Sequence, residues 1–371
     1  MDTTETQPPM SDVRPASRRR PPTTRENAAG EDVGPPRRLS PAGHALVVAS
    51  LALLLGAFLN APGLHKTAET LNPGWKRDVG LALTGPLASV SHALRLDRPR
   101  EGVKAAIGRS DDDDIVTAVD IPPRIPAGVP VQPIRRVFSP QHKLRYYVGG
   151  DSLVIVPGYS LQRATVGYKV YEAVGDVDGR IDTGLERPDV FNWFKRIRQV
   201  MRKDKPNVVV LGLGGNDDHD FMTGLPDGVS LGAFGSPMWI REYRHRVGGL
   251  MDTVIRGGGF SVWIGLPITR DAGQSQRFDV INRIFSEEAY KRPRGAAYLD
   301  TYSSFADPDS GGFAEFLPDS HGRLVDMRAS DGVHFEPAGG DVIARQILRR
   351  LNERFDLTSW KRPAAAGVSS P

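Results

Sequence analysis

The chain has 371 residues, with 48 Lys and Arg against 44 Asp and Glu and no cysteine. The missing cysteine excludes disulfides, thiolate metal sites and a cysteine nucleophile. A formal charge of +4 over this length, with no basic stripe interleaved with aromatics, argues against a nucleic-acid partner.

Residues 1–41 are Pro, Arg, Thr, Ser and acidic residues with almost no large apolar side chain. Such a segment cannot bury enough surface to fold, and a disordered, basic, Pro-rich cytoplasmic tail is expected. Residues 42–61 contain no Asp, Glu, Lys or Arg and hold the apolar core Ala45 to Leu55. About 20 helical residues cross a bilayer, so this stretch is just long enough to be a transmembrane signal-anchor helix. Arginines before it and few after it place the N-terminus inside. A buried core helix and a cleavable signal peptide are the alternatives. The long leader and the absence of a clean A-x-A site before Ala61 favour an uncleaved anchor. The expected location is therefore the inner or plasma membrane, single-pass, with the bulk of the chain extracytoplasmic.

Residues 62–142 read as an extracytoplasmic spacer. An amphipathic helix is expected over Trp75–Leu96, interrupted near Gly85 and Pro86, and Ile121–Val137 is proline-rich and extended. The acidic run Asp111–Asp114 lacks the spacing and glycine of a calcium loop and reads as solvated linker.

Over 143–355 strands and helices alternate. Leu144–Val148 is a strand, Val166–Ala173 a second, and Pro188–Arg202 a helix with apolar residues at helical spacing. Val208–Leu211 is a continuous apolar run of the kind buried in parallel sheets. Helices follow at Trp239–Ile255, Phe278–Tyr290 and Ala338–Leu351, with strands at Phe260–Leu266 and Ala296–Leu299. This pattern argues a three-layer α/β/α domain with a central, mostly parallel sheet. Residues 356–371 read as a flexible tail.

The first strand ends in Gly149, Gly150, Asp151, Ser152 and Leu153. A strand-to-helix turn there would lift the Ser152 hydroxyl at the carboxyl edge of the sheet, where α/β folds bind ligands. Taken alone, Asp151 and Ser152 are equally good helix caps. Three further stretches sit in comparable places: Gly184 ahead of the Pro188 helix, Gly214-Gly215-Asn216-Asp217 after the Val208 strand, and Asp331-Gly332-Val333-His334 before the last helix. Each has a bland reading as a turn or cap. Their order along the chain makes four coincidences improbable.

With these blocks the chain resembles the SGNH hydrolases, also called GDSL esterases and lipases, over about residues 144–352, and looks closest to a membrane-anchored bacterial branch. The resemblance implies an SGNH-hydrolase, flavodoxin-like fold and a serine triad of Ser152, His334 and Asp331. It also implies an oxyanion hole from the backbone N–H of Ser152 and Gly184 and the side-chain amide of Asn216. The chemistry agrees: Ser152 attacks an acyl carbonyl, His334 takes its proton, Asp331 orients the imidazole, and the three donors meet the oxyanion. Asp151 is expected to tie down the Ser152 loop. No cofactor or metal is expected; Asp217, Asp218, His219 and Asp220 have metal-ligand chemistry, but neighbours on one loop rarely all face inward. His142, His245 and His321 read as surface or packing residues, and the loop Phe221–Pro237 as one that shapes an acyl pocket.

The expected function is extracytoplasmic hydrolysis of O-acyl esters, O-acetyl in particular, on substrates such as cell-envelope glycans. The same acyl-serine would serve an O-acetyltransferase, and a lipase or thioesterase shares the residues. A non-catalytic glycan-binding or assembly module on the same scaffold is the reading from a different class.

Overall fold

A computed structural model describes residues 41–71, 74–106, 116–125, 136–226, 229–319 and 321–361. The expected disordered N-terminus, the acidic run Asp111–Asp114, most of the proline-rich stretch and the end of the tail lie outside them. The chain divides into a first unit ending at Leu55 and a second from Gly56.

Helix α1 (Pro41–Leu59) contains the apolar stretch, and Leu46, Val48, Leu51 and Leu53 are each at least 60% exposed on it. Its continuation is not the single straight span expected over 42–61. The helix stops at Leu59, and α2 (Ala61–Glu69) restarts with a proline in its first turn, bent by 71°. Among the described residues no single helix is long and apolar enough to cross a membrane, and only this bent pair passes on length and composition together. Helices α3 (Trp75–Ala93) and α4 (Arg98–Ala106) follow; α3 runs through Pro86 without the expected interruption.

The sheet is built from β1 (Leu144–Gly150), β2 (Tyr171–Ala173), β3 (Asp178–Gly179), β4 (Val208–Gly212), β5 (Phe260–Ile264) and β6 (Ala296–Leu299). Its order is β2-β1-β4-β5-β6, with β3 pairing the end of β1, and every pairing is parallel. All residues of β4 are buried, which is why this strand reads as uninterrupted Val and Leu. The connecting helices are α5 (Ile155–Thr165), α6 (Trp193–Lys203), α7 (Pro237–Arg256), α8 (Ala272–Tyr290) and α10 (Pro337–Arg354), with a short α9 (Thr301–Ser304) after β6. Side chains alternate faces along a strand. Phe260 of β5 meets Phe355, just past α10, whereas Trp263, three residues on, meets Phe285 of α8. Likewise the Tyr146 hydroxyl reaches Thr165 of α5, while the adjacent Tyr147 donates to Asp178, which also binds Arg196 of α6. Helices α5 and α10 therefore cover one face, and α6, α7 and α8 the other. A separate antiparallel hairpin, β7 (Phe316–Pro318) and β8 (Leu324–Asp326), precedes the last helix.

Three boundaries differ from expectation by five residues or more. Val166–Val170 is not strand: α5 runs to Thr165, Val166 is 86% exposed, and pairing with β1 starts at Tyr171. Helix α6 starts at Trp193 rather than Pro188, because Asn192 caps it by accepting from the Lys195 N–H at 2.8 Å. Helix α8 starts six residues before Phe278, capped by Asp271.

Part of the expected spacer is docked on this domain. Residues 116–125 form an extended strap whose Val116 and Ala118 carbonyls accept from the Asn192 amide at 2.6 and 2.9 Å. Asp120 pairs with Arg198, Arg256 donates to the Pro123 carbonyl, and Val119 and Ile121 pack on the core.

Candidate active site

Ser152 stands where β1 leaves the sheet. Gly150 has φ +153°, and a Cβ there would overlap the carbonyl of Gly212, so only glycine lets β1 and β4 end this close. The next residue is the clamp. Asp151 is fully buried; its N–H donates to the Gly212 carbonyl, one carboxylate oxygen accepts from Leu153 N–H at 2.9 Å, and the other from Gly215 N–H at 2.8 Å. One side chain thus ties the Ser152 turn to the Gly214–Asp217 loop, as expected. Burial, and to a lesser degree the nearby Asp217, pushes the Asp151 carboxyl up to about 7 against the pull of its N–H donors.

Across from Ser152, a loop between β8 and α10 carries His334 and Asp331. His334 Nε2 lies 2.8 Å from Ser152 Oγ, and His334 Nδ1 lies 2.7 Å from Asp331 Oδ2. The other Asp331 oxygen accepts the N–H groups of Val333 and His334 at 2.8 and 3.0 Å. Partial burial alone would raise this carboxyl, but those N–H groups and the imidazole bring it down to about 2. Asp331 is therefore an acceptor only, which puts the proton on Nδ1 and leaves Nε2 to accept from the serine hydroxyl.

Gly184 is buried beside Asn216, whose amide donates to the Thr183 carbonyl at 3.0 Å. The reason for a glycine here is more specific than room for an oxygen. A Cβ at 184 would overlap the Asp217 carboxylate, with Asp217 Cγ 2.6 Å away. That carboxylate accepts from Leu185 N–H at 2.8 Å, Glu186 N–H at 2.9 Å and the Tyr243 hydroxyl at 2.7 Å. It folds the Gly184 loop against the Asn216 loop. Among the described residues the N–H groups of Ser152 and Gly184 meet no hydrogen-bond acceptor.

The rest of the apparent metal cluster disperses. Asp218 pairs with Arg277, the His219 ring with Glu186, and Asp220 accepts the Phe234 N–H. Among the described residues no three His, Asp or Glu side chains converge as a metal site. His142 stacks on Phe138, and His321 is exposed beside Asp319. Within Phe221–Pro237, Leu231 is buried and Phe234 packs on Trp239 of α7.

Several residues in the support of the site carried no sequence signal. Glu186 is buried, and burial raises its carboxyl to about 8 despite the His219 hydrogen bond; Trp239 donates to its other oxygen at 3.1 Å. Arg246 is fully buried and donates to the carbonyls of Leu185 and Thr223, both at 2.8 Å. Arg328, also fully buried, donates to Val333 and His334 carbonyls.

The parallel α/β sheet thus carries a Ser–His–Asp hydrogen-bond chain at its carboxyl edge, with the four blocks in the expected order. Residues 145–350 match the family described as "Protein of unknown function (DUF459)", and the chain belongs to it. No curated protein matches the chain by sequence. Among solved structures it is similar to TesA, at 14% identity and TM-score 0.39, covering 57% of this chain and 99% of that one. LAE5, an α/β hydrolase from the metagenome of Lake Arreo, Spain, is 17% identical at TM-score 0.40, covering 57% and 95%. A catalytic mutant of Axe2, an acetylxylan esterase from Geobacillus stearothermophilus, is 16% identical at TM-score 0.38, covering 59% and 97%.

Proposed function

We propose that the protein is a membrane-tethered, extracytoplasmic esterase that hydrolyses O-acyl groups, O-acetyl above all, from cell-envelope glycans. The observation that carries the reading is the unbroken chain from Ser152 Oγ through the His334 ring to Asp331, at 2.8 and 2.7 Å. In this reading the Ser152 oxygen bonds to the acyl carbon while its proton passes to His334 Nε2. The carbonyl oxygen becomes an oxyanion met by the N–H of Ser152, the N–H of Gly184 and the Asn216 amide. Collapse breaks the ester C–O bond, and His334 returns the proton to the departing alcohol. Water, deprotonated by the same nitrogen, then attacks the acyl-serine, and the acid leaves with Ser152 restored. Asp331 stays ionised throughout and stabilises the imidazolium.

The membrane part of the reading is supported by the exposed leucines and valines of α1, a continuous apolar surface that a lipid environment would cover. The short acyl group and the glycan are inferences from that location. The test is turnover of p-nitrophenyl esters of increasing chain length, and of O-acetylated glycans, by the full chain and by Ser152→Ala. Acetate release that depends on Ser152 and falls with acyl length supports the proposal. A preference for long chains replaces the glycan with a lipid, and equal rates in the two proteins reject the mechanism.

A further inference from the structure

Asp331 cannot by itself set where His334 sits over Ser152. Its two N–H donors belong to Val333 and His334, so Asp331 and the imidazole move together as one hairpin. The hairpin needs a tie to the sheet edge that carries Ser152. Arg328 provides a buried one. Its Nη1 donates to the Ile268 carbonyl, in the loop after β5, at 2.7 Å. Its Nη2 donates to the Val333 carbonyl at 2.8 Å, and its Nε to the His334 carbonyl at 3.2 Å.

The guanidinium is an expensive group to place here. It is fully buried, forms no ion pair among the described residues, and lies within 5.9 Å of the rings of Phe305, Phe313 and Phe335. Burial brings it down to about 10, so it remains a cation at neutral pH. Asp331 favours its charged form across space but makes no ion pair with it, so what the buried cation contributes directly is its fork of donors, which no apolar side chain can supply. The fork here spans two elements, with one carbonyl on the β5 loop and two on the histidine hairpin. Arg270 also holds this hairpin, through the Ser330 carbonyl, but it is half exposed and shared with Glu315.

We propose that Arg328 is a positioning residue for the acyl-transfer reaction: acting through the backbone carbonyls of Val333 and His334, it fixes the imidazole at hydrogen-bond distance from Ser152. This rests on the esterase reading above and touches no substrate atom itself. Lysine keeps the charge and most of the volume but has no fixed fork to reach carbonyls on two elements.

The test uses the full chain with Arg328→Lys and Arg328→Met. Melting by circular dichroism, kcat and KM for p-nitrophenyl acetate, and the rate of fluorophosphonate labelling are measured for each. Arg328→Lys is expected to fold and to lose about 100-fold in both kcat and labelling rate, the scale of an ångström of misplacement. KM should change by less than about threefold, because binding of the acyl group is untouched. Arg328→Met, which reaches none of the three carbonyls, should lose at least as much in kcat, again with little change in KM. A folded Arg328→Lys protein with parental kcat overturns the proposal, as does a loss of activity that only tracks the unfolded fraction. Failure of both variants to fold counts against it too, since it makes Arg328 a stability residue. If the parent itself neither labels nor turns over ester, the esterase reading fails; if the parent is active and Arg328→Lys equally so, this inference alone fails.

Discussion

Gly184→Ala probes the contact between the two loops that meet beside Ser152. The new methyl would sit 2.6 Å from Asp217 Cγ, whereas ordinary contact begins at 3.4 Å. The carboxylate or the Gly184 loop must therefore give way by roughly an ångström, and overpacking of a closed site costs about 1–3 kcal/mol. The Asp217 carboxylate is buried and holds Leu185 N–H, Glu186 N–H and the Tyr243 hydroxyl, so moving it strands buried donors at about 1–3 kcal/mol each. A total loss of about 3–9 kcal/mol of stability follows if the loop stays put and two donors are stranded. If the loop moves instead, the stability loss is smaller and the Gly184 N–H leaves the proposed oxyanion position, which costs about 100- to 1000-fold in kcat. Urea unfolding and p-nitrophenyl acetate kinetics on the same preparations separate the two. A double-mutant cycle with Asp217→Ser removes the atoms the methyl strikes and should show a favourable coupling of about 1 kcal/mol or more. Gly184→Ala with parental stability and parental kcat would refute the reasoning.

Asp331→Asn should lower kcat by up to about 10,000-fold with little change in KM, because an amide no longer fixes the Nδ1 proton; steady-state kinetics decide it. Asp151 has a folded value near 7, above its unfolded value of 3.8, so the native state binds the extra proton between them. Stability should therefore fall as pH rises from about 4 to 7, and Asp151→Asn should reduce that slope, leaving the part due to Glu186, while lowering kcat, checked by urea titrations at several pH values. Arg246→Met strands the Leu185 and Thr223 carbonyls and should cost about 3 kcal/mol in urea unfolding. A chain starting at residue 136 should melt below one starting at 116, because it lacks the strap over α6 and α7.

Much of this could be read from residue order because the residues concerned act locally. The continuous apolar run at Val208 to Leu211 is a buried parallel strand, and the Ser152 and Asn216 blocks directly follow the ends of β1 and β4. Ser152 and Asp331 each stand within hydrogen-bond distance of the His334 ring. What stayed hidden is held by long-range contacts. Asp217 looked like part of a metal cluster, yet its acceptors serve a loop 31 and 32 residues earlier. Arg328 and Arg246 are buried arginines bonded to backbone carbonyls, and no spacing rule marks such a residue. The strap at 116–125 reads as linker because its affinity for the domain lies in main-chain carbonyls, one aspartate and two isolated apolar side chains. The strand expected at Val166 fails for the opposite reason: its β-branched and aromatic residues are real, but α5 runs to Thr165, and only from the Val170 carbonyl onward does the stretch reach β1.

The central claim is that Ser152 is a nucleophile activated by His334. Reaction of the full chain with a fluorophosphonate, followed by intact-mass measurement and peptide mapping, addresses it directly. One adduct per chain on Ser152, absent in Ser152→Ala and strongly slowed in His334→Ala, is the expected result. A folded protein that acquires no adduct, or acquires it elsewhere at the same rate in both variants, would contradict it.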